Sequence, residues 1–233
     1  MRQVRINADD FGWVDGHNLA VRKAFLAGGL QQASLLTTTP GFQQAVCIAH
    51  ELPGLQVGIH LALNEVAPAC PEAVAPLLQG GRFPDNPLRL VQMWVQGTLP
   101  VEGIIREWHA QIRRAVEAGI RPMHLNSHKH VHVLPPLVEG VCRLAHEFAI
   151  PYVRLPLEPL RVAIRRPAAF LVWGMARMSR PYLEESGLAF SAVFYGVAFS
   201  GGMTLERLAD ALSMGPSVEV MVHPAVETAA IQA

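Results

Sequence analysis

The sequence is poor in charge, in cysteine and in long apolar runs, and each shortage argues against a class of protein. Charged residues make up 16% of the 233 residues, and 19 basic residues balance 19 acidic ones. A nucleic-acid-binding surface needs a basic surplus or patch, so we expect no nucleic-acid partner. The cysteines Cys47, Cys70 and Cys142 are widely spaced, which argues against a disulfide framework and predicts a reducing, cytoplasmic location.

The apolar segments are too short for membrane insertion. The first residues enter a strand-like segment without the apolar stretch of a signal peptide. The most apolar later window, 167–178, contains Arg177 and is shorter than a membrane-spanning helix. This window is compatible with a buried helix and with an exposed flap that faces a substrate. We expect no transmembrane segment, and the sparse charge is compatible with a homodimer.

The sequence does contain a regular alternation of short apolar runs and helical patterns. Strands are predicted at 4–8, 33–38, 55–63, 123–127, 152–155 and 218–222, and helices at 17–27, 42–51, 102–118, 135–148 and 205–213. A loop rich in proline, glycine and alanine is predicted at 64–86. Such alternation predicts parallel strands with crossover helices, in an open sheet or a barrel. No G-x-G-x-x-G follows the first strand, which argues against a dinucleotide-binding sheet and favours a closed or partly closed barrel, and the length suits a single α/β domain over 1–233.

Polar residues stand at the ends of several predicted strands. Asp9 and Asp10 follow the first strand, His60 lies in the third, and His223 follows the last. A barrel brings its strand ends together at one mouth, where such residues can meet. Two adjacent carboxylates repel unless a cation or a shared proton compensates, although one aspartate could simply cap a helix. Taken alone, His60 fits a hydrogen-bonded core histidine better than a ligand, whereas His223 fits an ordinary loop histidine and an acid/base equally well.

The strongest signal is the run from His124 to His132, which contains four histidines at even spacing. On an extended strand, positions two apart share a face, so the run predicts a row of imidazoles. Imidazole is a common neutral metal ligand, whereas the alternative is an incidental surface cluster. Arg154 could bind a carboxylate at the mouth or form a structural ion pair. Together these residues suit a divalent metal that hydrolyses an amide or ester.

Four segments of the sequence resemble one known family. They are Ile6–Gly12, Val57–Leu61, His124–His132 and Val222–Pro224. In this order they resemble the motifs of YdjC-like carbohydrate deacetylases, which include chitooligosaccharide deacetylases and the hopanoid-biosynthesis-associated, HpnK-like branch. The segment 153–159 is similar to one from that last branch. The resemblance covers nearly the whole chain. It implies a distorted or incomplete (β/α) barrel and removal of an N-acetyl group from an amino sugar or sugar-lipid.

The resemblance also implies roles for individual residues. Asp10, His60 and His128 would hold one divalent ion, Mg²⁺ or Zn²⁺. Asp9 would be the general base, with the roles of the two aspartates exchangeable, and His223 the general acid. The residues predicted to contact the substrate are His124, His130, His132 and Arg154.

The chain departs from the family pattern at two places. Many relatives have aspartate where this chain has Asn126, which can hydrogen-bond a ligand histidine but brings no charge. Relatives usually have a glycine after the His-Pro pair and then a further helix, whereas here Ala225 follows and the sequence reaches Ala233 soon after. We therefore expect the last crossover helix to be missing.

Two other functions remain compatible with this sequence. A non-catalytic sugar-binding protein would keep the barrel and the metal cluster without turnover. A metal phosphoesterase would use the same ligand types, but usually has two ions, and the sequence lacks a surplus of carboxylates for a second one.

Overall fold

The computed structural model describes residues 3–215 and 217–226. Its centre is a curled parallel sheet of six strands in the order β4-β3-β2-β1-β6-β5. The strands are β1 (Gln3–Phe11), β2 (Gln32–Leu35), β3 (Gln56–Leu61), β4 (Leu125–Ser127), β5 (Val193–Tyr195) and β6 (Ser217–Val222). The helices are α1 (Asp15–Leu26), α2 (Phe42–Glu51), α3 (Leu88–Val95), α4 (Val101–Glu117), α5 (Pro135–Glu147), α6 (Leu160–Ala163), α7 (Pro167–Ser186) and α8 (Leu205–Ser213). The predicted α/β architecture with an incomplete barrel is confirmed as a half-barrel surrounded by helices.

The first strand lies in the middle of the sheet because it pairs with β2 on one side and β6 on the other. Its pairing with β6 is regular from Gln3 to Ala8, whereas its register with β2 shifts between Ala8 and Phe11. A register shift of this kind changes the direction in which side chains leave the strand. It falls on Asp9 and Asp10, the two aspartates that the sequence marks.

The sheet continues past β4 through isolated bridges rather than through a regular strand. Leu125 bridges to Val153, and Tyr152 bridges to Ala189. The predicted strand at 152–155 is therefore wrong as a regular element. Prolines at 151 and 156 bracket this segment, and proline has no backbone N–H to extend a ladder. The segment nevertheless curls the sheet toward closure.

Other differences from the sequence-based predictions concern short or apolar elements. The helix α3 and the strand β5 were not predicted, and the window 167–178 forms most of α7. One face of α7 is buried, which settles that window as a helix packed on the fold. No helix among the described residues is long and apolar enough to cross a membrane. The expected absence of a last crossover helix concerns residues 227–233, which lie outside the described residues.

The histidine run is not an extended strand beyond Ser127. Residues 128–133 form tight helical turns, and Lys129 and His130 have left-handed φ values of 53° and 58°. The expectation that His128, His130 and His132 share one face is therefore wrong. The turns send the three rings to different surroundings, which are described below.

Candidate active site

Asp10 has a left-handed backbone, and this separates its side chain from that of its neighbour. Its φ is 62°, a value that aspartate and asparagine tolerate better than most residues. Gly12 follows with a φ of 93°, and a Cβ there would lie 2.7 Å from the carbonyl oxygen of Leu36. The chain therefore turns sharply at the end of β1. Asp9 is almost fully buried, whereas Asp10 is 13% exposed at the floor of a cavity.

Asp10, His60 and His128 form the cluster predicted to hold a metal. One potential ligand atom from each residue lies within 4.8 Å of the other two. Asp10 Oδ1 is 3.0 Å from His128 Nδ1 and 3.3 Å from His60 Nε2. One carboxylate and two imidazoles are a donor set that divalent metals use in proteins.

The hydrogen bonds around His60 determine which ring nitrogen is free. The side-chain amide nitrogen of Asn126 donates to Ser34 Oγ at 2.7 Å, so its Oδ1 accepts from His60 Nδ1, also at 2.7 Å. In the neutral ring, Nε2 then has a lone pair and no hydrogen. This lone pair faces the Asp10 carboxylate, and two acceptors in this arrangement need a shared cation or proton. The residues therefore fit a metal ion.

His128 lies between two carboxylates. Its Nε2 is 2.7 Å from Glu65 Oε2, and Glu65 Oε1 also accepts from Lys129 Nζ at 2.8 Å. Burial alone would lower the pKa of His128, but the hydrogen bonds to Asp10 and Glu65 raise it to about 9. The hydrogen bond from His128 and the interaction with Lys129 lower the pKa of Glu65 to about 2 despite partial burial. Glu65 thus fixes the orientation of the His128 ring.

Sequence reasoning missed Glu65, which it placed inside a featureless loop. Glu65 follows β3 by a few residues, as Asp10 ends β1 and His223 follows β6. This common position at the strand ends was the one available signal. The left-handed φ of 63°, which turns Glu65 toward His128, has no sequence signature at a glutamate.

Arg154 lies beneath the floor of the cavity and joins two buried carboxylates. Its Nη1 and Nη2 donate to Asp9 Oδ2 and Oδ1 at 2.6 and 2.8 Å, and its Nε donates to Glu219 Oε1 at 2.6 Å. Burial would raise the pKa of Asp9, but the charge of Arg154 holds it well below its usual range. Tyr152 also donates its hydroxyl to Glu219, at 2.6 Å. Arg154 therefore forms the ion pair that the sequence left as one of two alternatives.

The side chain of Arg154 is fully buried, so the predicted contact of Arg154 with the substrate is wrong. Glu219 was missed by sequence reasoning. It is the one charged residue in the apolar strand 218–222, and a lone charge in a buried strand signals a paired partner.

His124 and His132 lie behind the cavity rather than on its wall. His124 Nε2 is 2.9 Å from Ser34 Oγ, and its ring fills the space above Gly58, where a Cβ would come within 2.2 Å. The nitrogens of His132 contact Ser127 Oγ at 2.7 Å and the Arg154 carbonyl oxygen at 2.8 Å. Burial, with a smaller contribution from the Arg154 charge, lowers the pKa of each ring to about 3. Both rings are neutral and buried, and they support the surrounding structure. The predicted contact of His124 and His132 with the substrate is therefore wrong.

His130 is the second histidine of the run, besides His128, that lines the cavity. Its ring packs edge-on against Phe194 with a centroid distance of 5.7 Å. Its Nδ1 is buried and has no hydrogen-bond partner among the described residues. Because this nitrogen is buried, a substrate contact from His130 stays a prediction.

His223 approaches the cluster from the end of β6. Its Nε2 lies 3.9 Å from Asp10 Oδ2, and its side chain is 27% exposed to the cavity. The adjacent strands β1 and β6 therefore place Asp9, Asp10 and His223 at one edge of the sheet, as the sequence predicted.

The cavity has a volume of about 730 Å³ and two chemically different parts. Its floor is polar and includes Asp9, Asp10, His60, His128 and His223. Its walls come mainly from α3, α7 and nearby loops and are lined by Leu88, Leu90, Val91, Val131, Leu134, Leu171, Val172, Met175, Val197 and Met221. A polar reaction centre therefore opens into an apolar channel.

Comparisons with known proteins agree with this geometry. Residues 3–233 match the model of the YdjC-like protein family. A carbohydrate deacetylase from Brevibacillus brevis is 35% identical over 94% of this chain and 80% of its own length. One from Geobacillus stearothermophilus is 32% identical, over 94% of this chain and 78% of its own length. A crystal structure from Enterococcus faecalis V583, provisionally described as a cellobiose-phosphate cleavage protein, superposes with a TM-score of 0.77 and 25% identity, over 99% of this chain and 84% of that chain.

Proposed function

The chain belongs to the YdjC-like protein family, and we propose that it is a metal-dependent carbohydrate deacetylase that removes an N-acetyl group from an amino sugar. The observation that carries this proposal is the cluster of Asp10, His60 and His128 at the floor of the cavity. A second carboxylate and a third imidazole lie beside it, as amide hydrolysis requires. The curated relatives named carbohydrate deacetylases support the same reaction.

One divalent ion, Mg²⁺ or Zn²⁺, would be held by Asp10 Oδ1, His60 Nε2 and the Nδ1 of His128. When bound, it would polarise the amide carbonyl and lower the pKa of a water molecule. Two imidazoles in the set favour a transition ion such as Zn²⁺.

Asp9 is suited to accept the proton of the attacking water. The charge of Arg154 keeps Asp9 ionised, and its two hydrogen bonds prevent the carboxylate from turning away, so the role of Asp9 depends on its position. Asp10 contacts both imidazoles at 3.0–3.3 Å, whereas the nearest of them to Asp9 is His60, at 3.9 Å. This difference supports Asp10 as the ligand and Asp9 as the base, rather than the reverse.

His223 is suited to protonate the leaving nitrogen. It faces the cluster from a different strand than Asp9 and is open to the cavity. The water proton goes to Asp9, the amine nitrogen takes a proton from His223, and the products are acetate and a free amino sugar.

The apolar walls support a sugar-lipid as substrate, in line with the hopanoid-associated branch that the sequence resembles. A free oligosaccharide presents hydroxyl groups along its length, and the mainly aliphatic walls would leave most of them without hydrogen-bond partners. An amino sugar at the polar floor with an apolar aglycone along α3 and α7 would match both parts. The cytoplasmic location and a homodimer stay predictions.

The proposal is tested by measuring acetate release from N-acetylglucosamine oligosaccharides and from an N-acetylglucosaminyl lipid, with and without a chelator. We expect release that the chelator abolishes and added Mg²⁺ or Zn²⁺ restores. Full activity in the chelated protein would contradict metal dependence. Sugar binding without acetate release across several metals would favour a non-catalytic protein, and phosphate release from a phosphorylated sugar would favour a phosphoesterase.

A further inference from the structure

The outer face of α6 and α7 carries large apolar side chains in contact with solvent. The helix α7 buries one stripe against the fold, which includes Val172, Met175 and Leu183. Its opposite stripe is also apolar, and the exposed members of the two helices and their connection are Leu160, Ile164, Phe170, Leu171, Met178 and Tyr182. Ile164 is 61% exposed and Met178 is 55% exposed. Exposed apolar groups clustered in this way mark interaction surfaces, so this face is suited to a partner.

The same face is basic. Its exposed arginines are Arg161, Arg165, Arg166, Arg177 and Arg180, and no acidic residue occurs between Glu158 and Glu184. Arg180 forms an ion pair with Glu184 at 2.7 Å. Across residues 3–215 and 217–226, the other four arginines have no ion pair with a carboxylate. A chain with no net charge therefore concentrates positive charge around exposed apolar groups.

We propose that this α6–α7 face, defined by residues 160–182, docks on the surface of an anionic lipid bilayer. Arginines that surround apolar side chains are the pattern of a helix lying in the membrane interface. Aromatic groups add to it, since Phe170 and Trp173 stack at 5.8 Å and Arg177 lies over the Trp173 ring at 5.6 Å. The aliphatic parts of arginine side chains and aromatic rings lie in the membrane interface, while the guanidinium groups reach the lipid phosphates.

A second copy of this chain fits the face less well. A two-fold symmetric interface places the same patch against itself, so the arginines of one copy would face those of the other. Residues 160–182 contain no carboxylate to balance them, and the nearest ones in sequence after the face are Glu184 and Glu185. An anionic lipid surface supplies that negative charge.

The face continues into the cavity. Arg166, Pro167 and Leu171 belong both to the face and to the cavity wall. Docking would therefore turn the apolar channel toward the lipid, and an amphiphilic substrate could enter it without crossing water. This last consequence rests on the proposed function, whereas the docking itself does not.

The experiment is co-sedimentation of the full chain with vesicles of phosphatidylcholine alone and with added phosphatidylglycerol, at low and high salt. We expect binding that requires the anionic lipid and weakens with salt, because screening shortens the reach of surface charges. Substituting Arg161, Arg165 and Arg177 by glutamine removes three charges. Each is expected to lower the partition coefficient about fivefold, and the three together about a hundredfold.

A second variant tests the apolar part. Phe170→Ser with Met178→Ser is expected to weaken binding to the anionic vesicles while leaving the charge of the face unchanged. The matched control is Leu26→Ser with Leu205→Ser, which removes exposed apolar side chains that are 59% and 85% exposed on other helices. Control and wild-type binding should be equal. Equal loss in this control, or equal binding by the arginine variant, would overturn the proposal.

Two further measurements separate this proposal from the enzymatic one. Acetate release from a soluble N-acetylated sugar should be unchanged in both variants, since none of the substituted side chains lines the cavity. Acetate release without vesicle binding by the wild type would refute docking alone, and vesicle binding without acetate release would refute the enzyme alone. A dimer in sedimentation velocity that the Phe170/Met178 variant abolishes, without vesicle binding, would assign the face to a second copy and overturn the proposal.

Discussion

Arg154 holds Asp9 by both carboxylate oxygens, at 2.6 and 2.8 Å, from a fully buried position beneath the cavity. Its Nε donates to Glu219 Oε1 at 2.6 Å, so the guanidinium cannot rotate without breaking a second buried ion pair. A planar fork of this kind fixes a carboxylate in direction as well as in charge. Arg154 is thus a positioning residue for the proposed base.

Replacing the Arg154 guanidinium by a lysine ammonium should keep the positive charge beside Asp9 but lose the two hydrogen bonds that position its carboxylate. We expect Arg154→Lys to lower kcat about 10- to 100-fold with little change in KM, because lysine cannot hold both oxygens of Asp9. Kinetics of acetate release measure this effect. The control is Arg143→Lys, in which the exposed arginine pairs with Glu102 at 3.5 Å and should be neutral. Wild-type kcat in the Arg154 variant would contradict the positioning role.

Removing a proposed ligand should affect metal binding before it affects the fold. His60→Ala and His128→Ala are each expected to weaken Zn²⁺ binding in calorimetry at least 100-fold, more than losing an outer partner costs. Acetate release should fall in parallel. His50→Ala, an exposed histidine that contacts the Ala118 carbonyl oxygen, is the matched control. Undiminished Zn²⁺ affinity in the two ligand variants would place the metal elsewhere.

The acid role of His223 depends on the leaving group. We expect His223→Gln to lower kcat for an N-acetyl sugar by about 10² to 10⁴, the usual contribution of a positioned proton donor. An acetyl ester of an acidic phenol needs no protonation as its bond breaks, so its hydrolysis should fall far less. Steady-state rates for both substrates give the comparison. An equal loss for amide and ester would rule out general-acid catalysis by this residue.

Buried neutral histidines should make the protein sensitive to acid. The pKa of His132 is lowered from 6.5 to about 3 chiefly by burial, so the unfolded chain binds a proton that the folded chain refuses. The stability linked to this group is therefore fully present above pH 6.5 and is lost as the pH falls toward 3.

Urea unfolding of wild type and His132→Gln across this pH range measures that dependence. The variant's free energy of unfolding should fall less steeply with acid, by up to about 1.4 kcal/mol per pH unit. His50→Gln should keep the wild-type slope because His50 is exposed. Identical slopes in all three proteins would mean that His132 takes up its proton without unfolding.

The sequence was informative where periodicity and local chemistry decide the structure. The bounds of α2 and α8 match the predicted helices, and β1 and β6 contain the predicted strands. The three residues that the family resemblance implies as metal ligands have potential ligand atoms within 4.8 Å of one another. Parallel strands explain this success, because their carboxyl ends share one edge regardless of the separation along the chain.

The failures share a different cause, since they depend on backbone angles and on distant partners. The left-handed backbone of Lys129 and His130 breaks the predicted row of imidazoles. The residue types at these two positions were not enough to predict that backbone conformation. Whether Arg154 binds substrate or Asp9 depends on how deeply the strand ends are buried. That depth emerges only when all the strands are packed together.

The left-handed backbone of Asp10 restricts how this protein can change over evolutionary time. Among coded residues, glycine, asparagine and aspartate occupy that conformation at least cost. An aspartate codon reaches asparagine or glycine by changing a single base, and both would keep the turn while removing the charge that faces His60 and His128. A single-base substitution at this position would therefore leave the fold intact but remove the carboxylate of Asp10. A sugar-binding descendant without the proposed catalysis would lie very near this protein in sequence space.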